Sequence, residues 1–189
     1  MKYKALLIFG PPGAGKGTQA KLIAEDKKYF HFSTGDMFRN MDKNSQIGMK
    51  VHELISSGNF VPDELTIKLF FETLERYVEQ RKYDPEKQIL LLDGIPRNPA
   101  QVDLIDKKIE VIKIINLFIS NNDELIKRLA KRAMHEGRKD DNEEVIKRRL
   151  EIYEKETSLV LEKYPKDKIL EIEGIGNIEE IYDEIIAKL

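Results

Sequence analysis

The chain of 189 residues contains no cysteine. This absence excludes disulfide bonds and zinc sites built from thiolates, and it fits a reducing compartment such as the cytoplasm. The formal net charge is only −2, so the chain lacks the excess charge that favours nucleic-acid or membrane partners. No apolar run approaches the ~20 residues of a membrane span, and the apolar run near the N-terminus suits a core strand better than a signal peptide. We therefore expect one globular domain inside the cell.

A glycine-rich loop near the N-terminus is the strongest motif, and it reads Gly10-Pro-Pro-Gly-Ala-Gly-Lys-Gly-Thr18. It follows an apolar run and precedes a helix-forming stretch, which predicts a strand, a phosphate-binding loop and a helix. Glycines let backbone N–H groups wrap a phosphate, and the helix N-terminus adds partial positive charge. Lys16 would supply a full charge for the β- and γ-phosphates. The motif predicts a nucleoside triphosphate site, whereas a plain surface loop would lack this context. The general pattern has Ser or Thr after the lysine, and here Gly17 stands there.

Strand-like and helical patterns alternate along the chain. The apolar strand-like runs are residues 5–9, 29–33, 88–93, 111–119 and 169–172. Several are continuously apolar, which is typical of strands buried on both faces of a parallel sheet. The order predicts a doubly wound α/β fold with ligands at the carboxyl ends of the strands. Two stretches depart from this alternation: residues 34–62 hold helices without a strand, and residues 133–141 look like a short mobile connection.

Arginine and one aspartate are the next candidates for the site. Arginine binds phosphate through a planar fork that lysine lacks. Arg128 and Arg132 are four residues apart on a predicted helix and share a face. Each arginine alone is more often a solvated surface residue, but beside a phosphate loop a shared anionic target is the better interpretation.

Asp93 ends an apolar run and would hold magnesium through water, with a helix cap or turn as the alternative.

Five ordered motifs make the chain similar to the adenylate kinases with a short lid, a family of P-loop nucleoside monophosphate kinases. Besides the loop they are Ser33-Thr-Gly-Asp-Met-Phe-Arg39, Gly58-Asn-Phe-Val-Pro-Asp-Glu64, Leu92-Asp-Gly-Ile-Pro-Arg97 with Gln101, and Gly137-Arg-Lys-Asp-Asp141 followed by Lys147-Arg-Arg-Leu150. Gly17 is the form that this family carries. Many relatives have a longer lid with a cysteine-bound zinc; here the lid is short and cysteine is absent, so no zinc site is expected.

The resemblance covers nearly the whole chain and implies a domain plan. The fold would be a doubly wound parallel sheet of about five strands flanked by helices. A single kinase domain would consist of a core, a small helical lobe that binds the monophosphate, and a short lid over ATP. The core would comprise residues 1–33, 64–127 and 142–189, the lobe residues 34–63 and the lid residues 128–141. We expect a monomer.

The implied reaction is the reversible, Mg²⁺-dependent conversion of ATP and AMP into two ADP. ATP would be bound by Gly13, Ala14, Gly15, Lys16, Gly17, Thr18, Arg128, Arg132 and Gly176. AMP would be bound by Thr34, Arg39, Val61, Gly94, Arg97, Gln101, Arg138 and Arg149. The residues implied in phosphoryl transfer are Lys16, Arg97, Arg132, Arg138 and Arg149. Asp93 would orient hydrated magnesium.

Three other functions are weighed against this one. A UMP/CMP kinase of the same fold is the nearest, but Thr34 and Gln101 resemble the adenine-accepting forms, whereas pyrimidine relatives tend to carry Ala and Asn there. A P-loop GTPase switch would need Asp-x-x-Gly and Asn-Lys-x-Asp motifs, and the sequence has neither. A catalytically idle nucleotide-binding scaffold is the third, and the intact residues Lys16, Arg97, Arg138 and Arg149 speak against it. A turnover assay would decide.

Overall fold

The fold is built on five parallel strands. The computed structural model describes residues 2–120, 122–136 and 142–189. The strands are β1 (Tyr3–Phe9), β2 (Tyr29–Ser33), β3 (Ile89–Asp93), β4 (Ile109–Phe118) and β5 (Ile169–Glu173). They lie in the order β2-β3-β1-β4-β5, and every neighbouring pair is parallel. The predicted doubly wound α/β fold is confirmed.

Helices connect the strands and cover the sheet. They are α1 (Lys16–Ile23), α2 (Thr34–Arg39), α3 (Gln46–Ser56), α4 (Asp63–Glu79), α5 (Pro99–Ile105), α6 (Asn122–Glu136), α7 (Glu143–Ile152) and α8 (Ile178–Lys188). The sequence predicts one long helix over residues 142–164. In the structure α7 continues as a π-helix over Tyr153–Thr157 and a 3₁₀-helix over Ser158–Lys163, and a 3₁₀ turn over Lys166–Lys168 precedes β5. The apolar pattern therefore predicts that this stretch is helical, but it does not distinguish α-helix from π- or 3₁₀-helix.

The central strand β1 is buried on both faces. Leu7 is 0% exposed and packs in a cluster with Phe32 and Phe70, while its neighbour Ile8 is 2% exposed and packs in a second cluster with Ala20. Successive side chains of a strand point to opposite faces, so these clusters are the two cores on either side of the sheet. Each fully buried aliphatic side chain contributes about 1.5–3 kcal/mol. This two-sided burial explains the continuous apolar run in the sequence.

The helical lobe that the sequence predicts has a small core of its own. Phe38, Val51 and Val61 are buried together, separately from the two main cores. Ser33 caps α2 by accepting a hydrogen bond from the Asp36 amide, and Ser45 caps α3. Such caps stabilise a helix start by about 1 kcal/mol each. A separate core is what a lobe that moves as a unit needs, and that movement stays a prediction.

Strand register brings three chain segments to one edge of the sheet. Ser33 of β2 and Ile8 of β1 both pair with Asp93 of β3. All three strands therefore end beside one another, and the loops that follow them share the same space. Across the residues that the structure describes, no helix is both long and apolar enough to traverse a bilayer.

Candidate active site

The glycine-rich loop lies between the end of β1 and the start of α1. Gly10, Gly13 and Gly15 have φ values of 139°, 88° and 96°, which other residues rarely adopt. A side chain at Gly10 would overlap the carbonyl oxygen of Leu117 in β4, whereas a Cβ at Gly15 would meet no atom within 4 Å. The helix has no side-chain cap, so its first N–H groups can bind an anion. The open space at Gly15 therefore suits a phosphate.

The loop lysine folds back across its own loop. Lys16 Nζ donates hydrogen bonds to the carbonyl oxygens of Gly10 at 2.7 Å and Pro11 at 2.9 Å. The side chain is partly buried. Carbonyl oxygens are weaker partners for an ammonium group than phosphate oxygens are. Lys16 is therefore held next to the space that a nucleotide phosphate would enter.

Several charges converge on Lys16. Burial lowers the pKa of Lys16 to about 8; Asp93 opposes this shift, and the positive charges of Arg149, Arg97 and Arg132 add to it. These residues come from four different places in the chain, namely β3, the turn after it, α6 and α7. Their joint action on one ammonium group shows that the fold gathers them at one end of the sheet. Such a concentration of positive charge is suited to polyphosphate.

Asp93 is the carboxylate of this cluster. Its Oδ2 lies 3.7 Å from His31 Nε2 of β2, a contact too long for a hydrogen bond. Burial acts to raise the pKa of Asp93, but neighbouring His31 and the charge of Lys16 outweigh it and hold that pKa below its ordinary value. A Cβ at Gly17 would lie 3.8 Å from the same Oδ2. Asp93 is therefore an ionised carboxylate beside the first turn of α1.

This carboxylate fits the magnesium of a nucleotide complex. Mg²⁺ in such sites binds one or two carboxylates, while water and the phosphates complete the shell. Asp93 meets that requirement because it is ionised and lies beside the phosphate loop. Among the described residues no group of three or more acidic, histidine or cysteine side chains forms a protein-only metal cage. A metal carried in with a nucleotide is the kind that these residues fit.

The other side of the loop is bounded by α6 and the turn after β5. Arg128 donates from Nη1 to the carbonyl oxygen of Gly174 at 2.7 Å and from Nε to Glu124 Oε1 at 3.0 Å. A Cβ at Gly174 would lie 2.8 Å from the carbonyl oxygen of Ala14. Gly176, with a φ of 137°, follows in the same turn. The structure thus brings three of the predicted ATP residues, Arg128, Gly176 and Ala14, to one place.

The remaining predicted ATP residues surround the same loop. Gly13 packs against α6, where a Cβ would lie 3.1 Å from the Leu125 carbonyl oxygen. Thr18 is exposed in the first turn of α1, and Arg132 is half-buried one turn after Arg128. The loop, α6 and the turn after β5 therefore lie against one another.

The predicted monophosphate residues meet at the turn after β3. Thr34 is fully buried, and its hydroxyl donates to the carbonyl oxygen of Gly94 at 2.9 Å. Arg97 Nε donates to the same carbonyl at 2.8 Å. A Cβ at Gly94 would lie 2.7 Å from Thr34 Oγ1, so only glycine fits this turn. Arg39 is paired with Asp36 Oδ1 at 2.6 Å. Thr34 and Arg97 are thus brought together, and Arg39 follows on α2.

Gln101, the residue predicted to contact the base, is buried. It is 1% exposed. Its Oε1 accepts from the Arg97 amide at 2.8 Å, and its Nε2 donates to Asp63 Oδ1 at 2.7 Å. A glutamine amide offers two lone pairs and two N–H groups, so one of each remains for another partner. Base recognition by Gln101 stays a prediction, and it requires the enclosing chain to move.

The end of the lobe reaches α7. A Cβ at Gly58 would lie 2.9 Å from Val145 Cγ1 and 3.5 Å from Arg149 Cγ, so this glycine allows the close approach. Val61 is 4% exposed and belongs to the lobe core. The structure therefore places Val61 and Arg149 on facing elements.

Comparison with known proteins finds matches in one family. The family model described as adenylate kinase matches residues 8–169. An adenylate kinase of Clavibacter michiganensis is 40% identical over 97% of this chain and 92% of its own length. One of Pseudarthrobacter chlorophenolicus is 40% identical over 97% and 95%, and one of a Nocardioides species is 39% identical over 97% and 96%.

The chain belongs to the adenylate kinase family. The resemblance inferred from the five motifs is thereby confirmed. The family match also makes the chain a phosphotransferase of the nucleoside monophosphate kinase type. The roles of the individual site residues remain predictions.

The predicted lid is described in part. Residues 128–136 continue α6, and α7 begins at Glu143 with Asn142 as its N-cap, accepting from the Val145 amide at 3.0 Å. Arg138, which the family motif places in the lid, lies outside the described residues. The same holds for the rest of residues 137–141. The lid of residues 128–141 therefore stays a prediction.

An open groove of about 920 Å³ lies beside the site. Residues 59–63 line one side, and Glu144, Lys147, Arg148 and Glu151 of α7 line the other. Neither Lys16 nor Asp93 lines it, and Val61 is the one predicted nucleotide-binding residue that does. The groove is thus separate from the phosphate loop.

Two residues of the site were missed by sequence reasoning. His31 contacts Asp93 from the neighbouring strand, and Asp63 binds Gln101. His31 lies two residues before Ser33, which begins a family motif, so a parallel pairing of β2 with β3 would have pointed to it. Asp63 lies inside the motif of residues 58–64, which the resemblance matched without giving it a role.

Proposed function

We propose that this adenylate kinase family member catalyses reversible phosphoryl transfer from ATP to AMP, giving two ADP. The observation that supports this most is the convergence on Lys16 of Asp93 and three arginines from separate elements. Phosphoryl transfer asks little covalent chemistry of a protein; it needs aligned substrates and compensation of negative charge. A preorganised cluster of cations around a phosphate loop supplies that compensation.

On the donor side, the β- and γ-phosphates occupy the open space at Gly15 and the start of α1. Lys16 turns from the Gly10 carbonyl oxygen to the phosphates, since a charged acceptor is the stronger partner. The adenine of ATP lies against Arg128, which is already oriented by its bond to Gly174. Thr18 offers its hydroxyl to the α- or β-phosphate region.

Magnesium neutralises phosphate charge when it is bound with ATP. Asp93 would hold the hydrated ion, and ionisation of this buried carboxylate keeps it an acceptor at neutral pH. His31 lies 3.7 Å from Oδ2 of this carboxylate and would restrict its orientation. These two residues of β2 and β3 would therefore determine where the ion is held.

On the acceptor side, Arg39 and Arg97 bind the AMP phosphate, while Thr34, Val61, Gly94 and Gln101 surround the base and ribose. Arg149 and Arg138 then bridge donor and acceptor phosphates at the transferred group, and Arg132 adds charge from α6. Closure of residues 34–63 and 128–141 excludes water, which would otherwise compete as the acceptor. We propose that the enzyme works as a cytoplasmic monomer.

A coupled turnover assay with ATP and Mg²⁺ against AMP, CMP, UMP and GMP tests this function. A site that hydrogen-bonds one base leaves polar groups unpaired with another, so we expect AMP to be preferred by at least about 10²-fold in kcat/KM. Gln101→Asn should erode that preference and leave ATP binding intact. Comparable turnover of UMP and AMP would assign the chain to the pyrimidine kinases instead.

A further inference from the structure

Asp63 makes three hydrogen bonds to the start of α5. Its Oδ1 accepts from Gln101 Nε2 at 2.7 Å, and both of its oxygens accept from Asn98 Nδ2 at 3.0 Å. Asn98 in turn caps α5 by accepting from the Gln101 amide at 2.9 Å. The two residues that Asp63 contacts are therefore also bonded to each other. Asp63 and Gln101 are 38 positions apart in the chain, so the contact is made only by the fold.

From this network we infer that Asp63 is a positioning residue that sets base specificity by fixing the amide orientation of Gln101. The inference rests on the proposed function, in which Gln101 contacts the base of AMP. An ionised carboxylate only accepts hydrogen bonds, so it requires the Nε2 end of Gln101 to face it. The Arg97 amide only donates, so it requires the Oε1 end to face the other way.

The two restraints exclude the flipped amide. Rotation of the Gln101 amide by half a turn would set its Oε1 against a carboxylate oxygen of Asp63 and its N–H groups against the Arg97 N–H. Within the part of the chain that the structure describes, one lone pair on Oε1 and one N–H on Nε2 are left for a ligand, each in a fixed position. Adenine offers an N6 donor beside an N7 acceptor, which matches that order. The 6-oxo purines offer two acceptors there and do not match.

The position of Asp63 allows it to hold Gln101 while the lobe moves. It is the first residue of α4 and the last residue of the predicted lobe of residues 34–63, so it lies at the junction of the lobe with the core. The bonds to Asn98 tie this point to the start of α5 on the core side. Gln101 therefore keeps its orientation when the rest of the lobe, residues 34–62, opens to admit the base.

The test is Asp63→Asn, which keeps the shape of the side chain but adds a donor. Whichever way the new side-chain amide turns, its N–H groups face a donor, either Asn98 Nδ2 or Gln101 Nε2. Residue 63 is then no longer a purely accepting partner that holds Gln101 in one orientation. We expect the ratio of kcat/KM for AMP to that for IMP to fall by about 10-fold or more, with KM for ATP unchanged. Glu64→Gln is the matched control, because it neutralises the adjacent exposed carboxylate of the same helix turn and should keep the wild-type ratio.

A double-mutant cycle separates positioning from a general structural effect. In a Gln101→Ala background, Asp63→Asn should change the AMP-to-IMP ratio by less than about twofold, since it acts through Gln101. The inference is overturned if Asp63→Asn alone keeps the wild-type ratio, or if it has its full effect without Gln101. A wild-type enzyme that does not prefer AMP over CMP and UMP would instead refute the proposed function.

Should Asp63→Asn fail to fold, a crystal structure of the wild-type protein with AMP decides. We expect Gln101 to contact adenine N6 and N7 while it keeps its bonds to Asp63 and to the Arg97 amide. A Gln101 amide that turns away from Asp63 to reach the base would overturn the inference.

Discussion

Lys16 Nζ donates a 2.7 Å hydrogen bond to the carbonyl oxygen of Gly10, at the other end of the same loop. The cation that is expected to bind ATP is therefore already in place before the nucleotide arrives, held by neutral acceptors that it can leave. Its surroundings disfavour its charge, because burial and three nearby arginines lower its pKa to about 8. An incoming polyphosphate relieves this unfavourable environment, which links ATP binding to the protonation of one side chain.

This link predicts a pH dependence of ATP binding. Lys16 loses its charge as pH rises through about 8, so the affinity of the free enzyme for ATP should fall across that range. Lys16→Met should remove this pH dependence and lower kcat by about 10²-fold or more, with the fold retained. Calorimetric titration with ATP below and above that pKa measures the affinity, and a turnover assay measures kcat. Near-normal turnover of Lys16→Met would exclude the assigned role.

The same pKa affects stability in the opposite direction. The unfolded chain keeps the Lys16 proton up to its ordinary pKa, near 10.5, whereas the folded chain loses it near 8. Between these values the unfolded state binds more protons than the folded state. The free energy of unfolding therefore increases with pH over this range because of Lys16. Loss of ATP affinity above pH 8 therefore does not reflect unfolding caused by Lys16.

Two loop glycines should respond differently to alanine. Gly10→Ala places a methyl group against the Leu117 carbonyl oxygen in β4, and such overpacking costs about 1–3 kcal/mol in addition to backbone strain. Gly15→Ala adds a methyl group in open space, so it costs only the strain of a positive φ, about 1–2 kcal/mol. We expect Gly10→Ala to lower Tm more, and Gly15→Ala to weaken ATP binding more than its change in Tm explains. If both variants lost the same Tm and Gly15→Ala bound ATP as the wild type does, the space at Gly15 would not be the phosphate site.

Asp93→Asn tests the magnesium assignment. Removing the carboxylate charge should raise the Mg²⁺ concentration needed for half-maximal rate by about 10- to 100-fold. It also removes the charge that supports protonation of Lys16, so the fall of ATP affinity should begin at lower pH than in the wild type. Asp26→Asn, at a surface pair with Lys28, is the control and should change neither. An unchanged Mg²⁺ concentration for half-maximal rate would show that Asp93 does not hold the hydrated magnesium ion.

The family motif places Arg138 in the lid, outside the described residues. A lid arginine that reaches phosphate only on closure contributes to the transition state more than to ground-state binding. Arg138→Ala should therefore lower kcat more than it weakens ATP binding. Small-angle scattering of the wild type should show a smaller radius of gyration with a bisubstrate analogue than without it. An unchanged radius at saturation would rule out the moving lid.

The fold and the phosphate loop could be predicted because their signals are local. The loop residues lie next to one another, and runs such as Leu90-Leu91-Leu92 are apolar because β3 is buried on both faces. The contacts of Gln101 with Asp63 and of Asp93 with His31 could not, because each depends on which elements the fold brings side by side. The π- and 3₁₀-helical winding after α7 has no signal in the apolar pattern, which records only that the stretch is helical.

The central claim is transfer from ATP to AMP, and ³¹P NMR of both substrates with the enzyme and Mg²⁺ tests it most directly. The account predicts that ATP and AMP disappear in equal amounts while two ADP form for each pair, with no inorganic phosphate, and that Lys16→Met slows this by about 10²-fold or more. Release of inorganic phosphate with AMP unchanged, or no ADP formation at all, would contradict it.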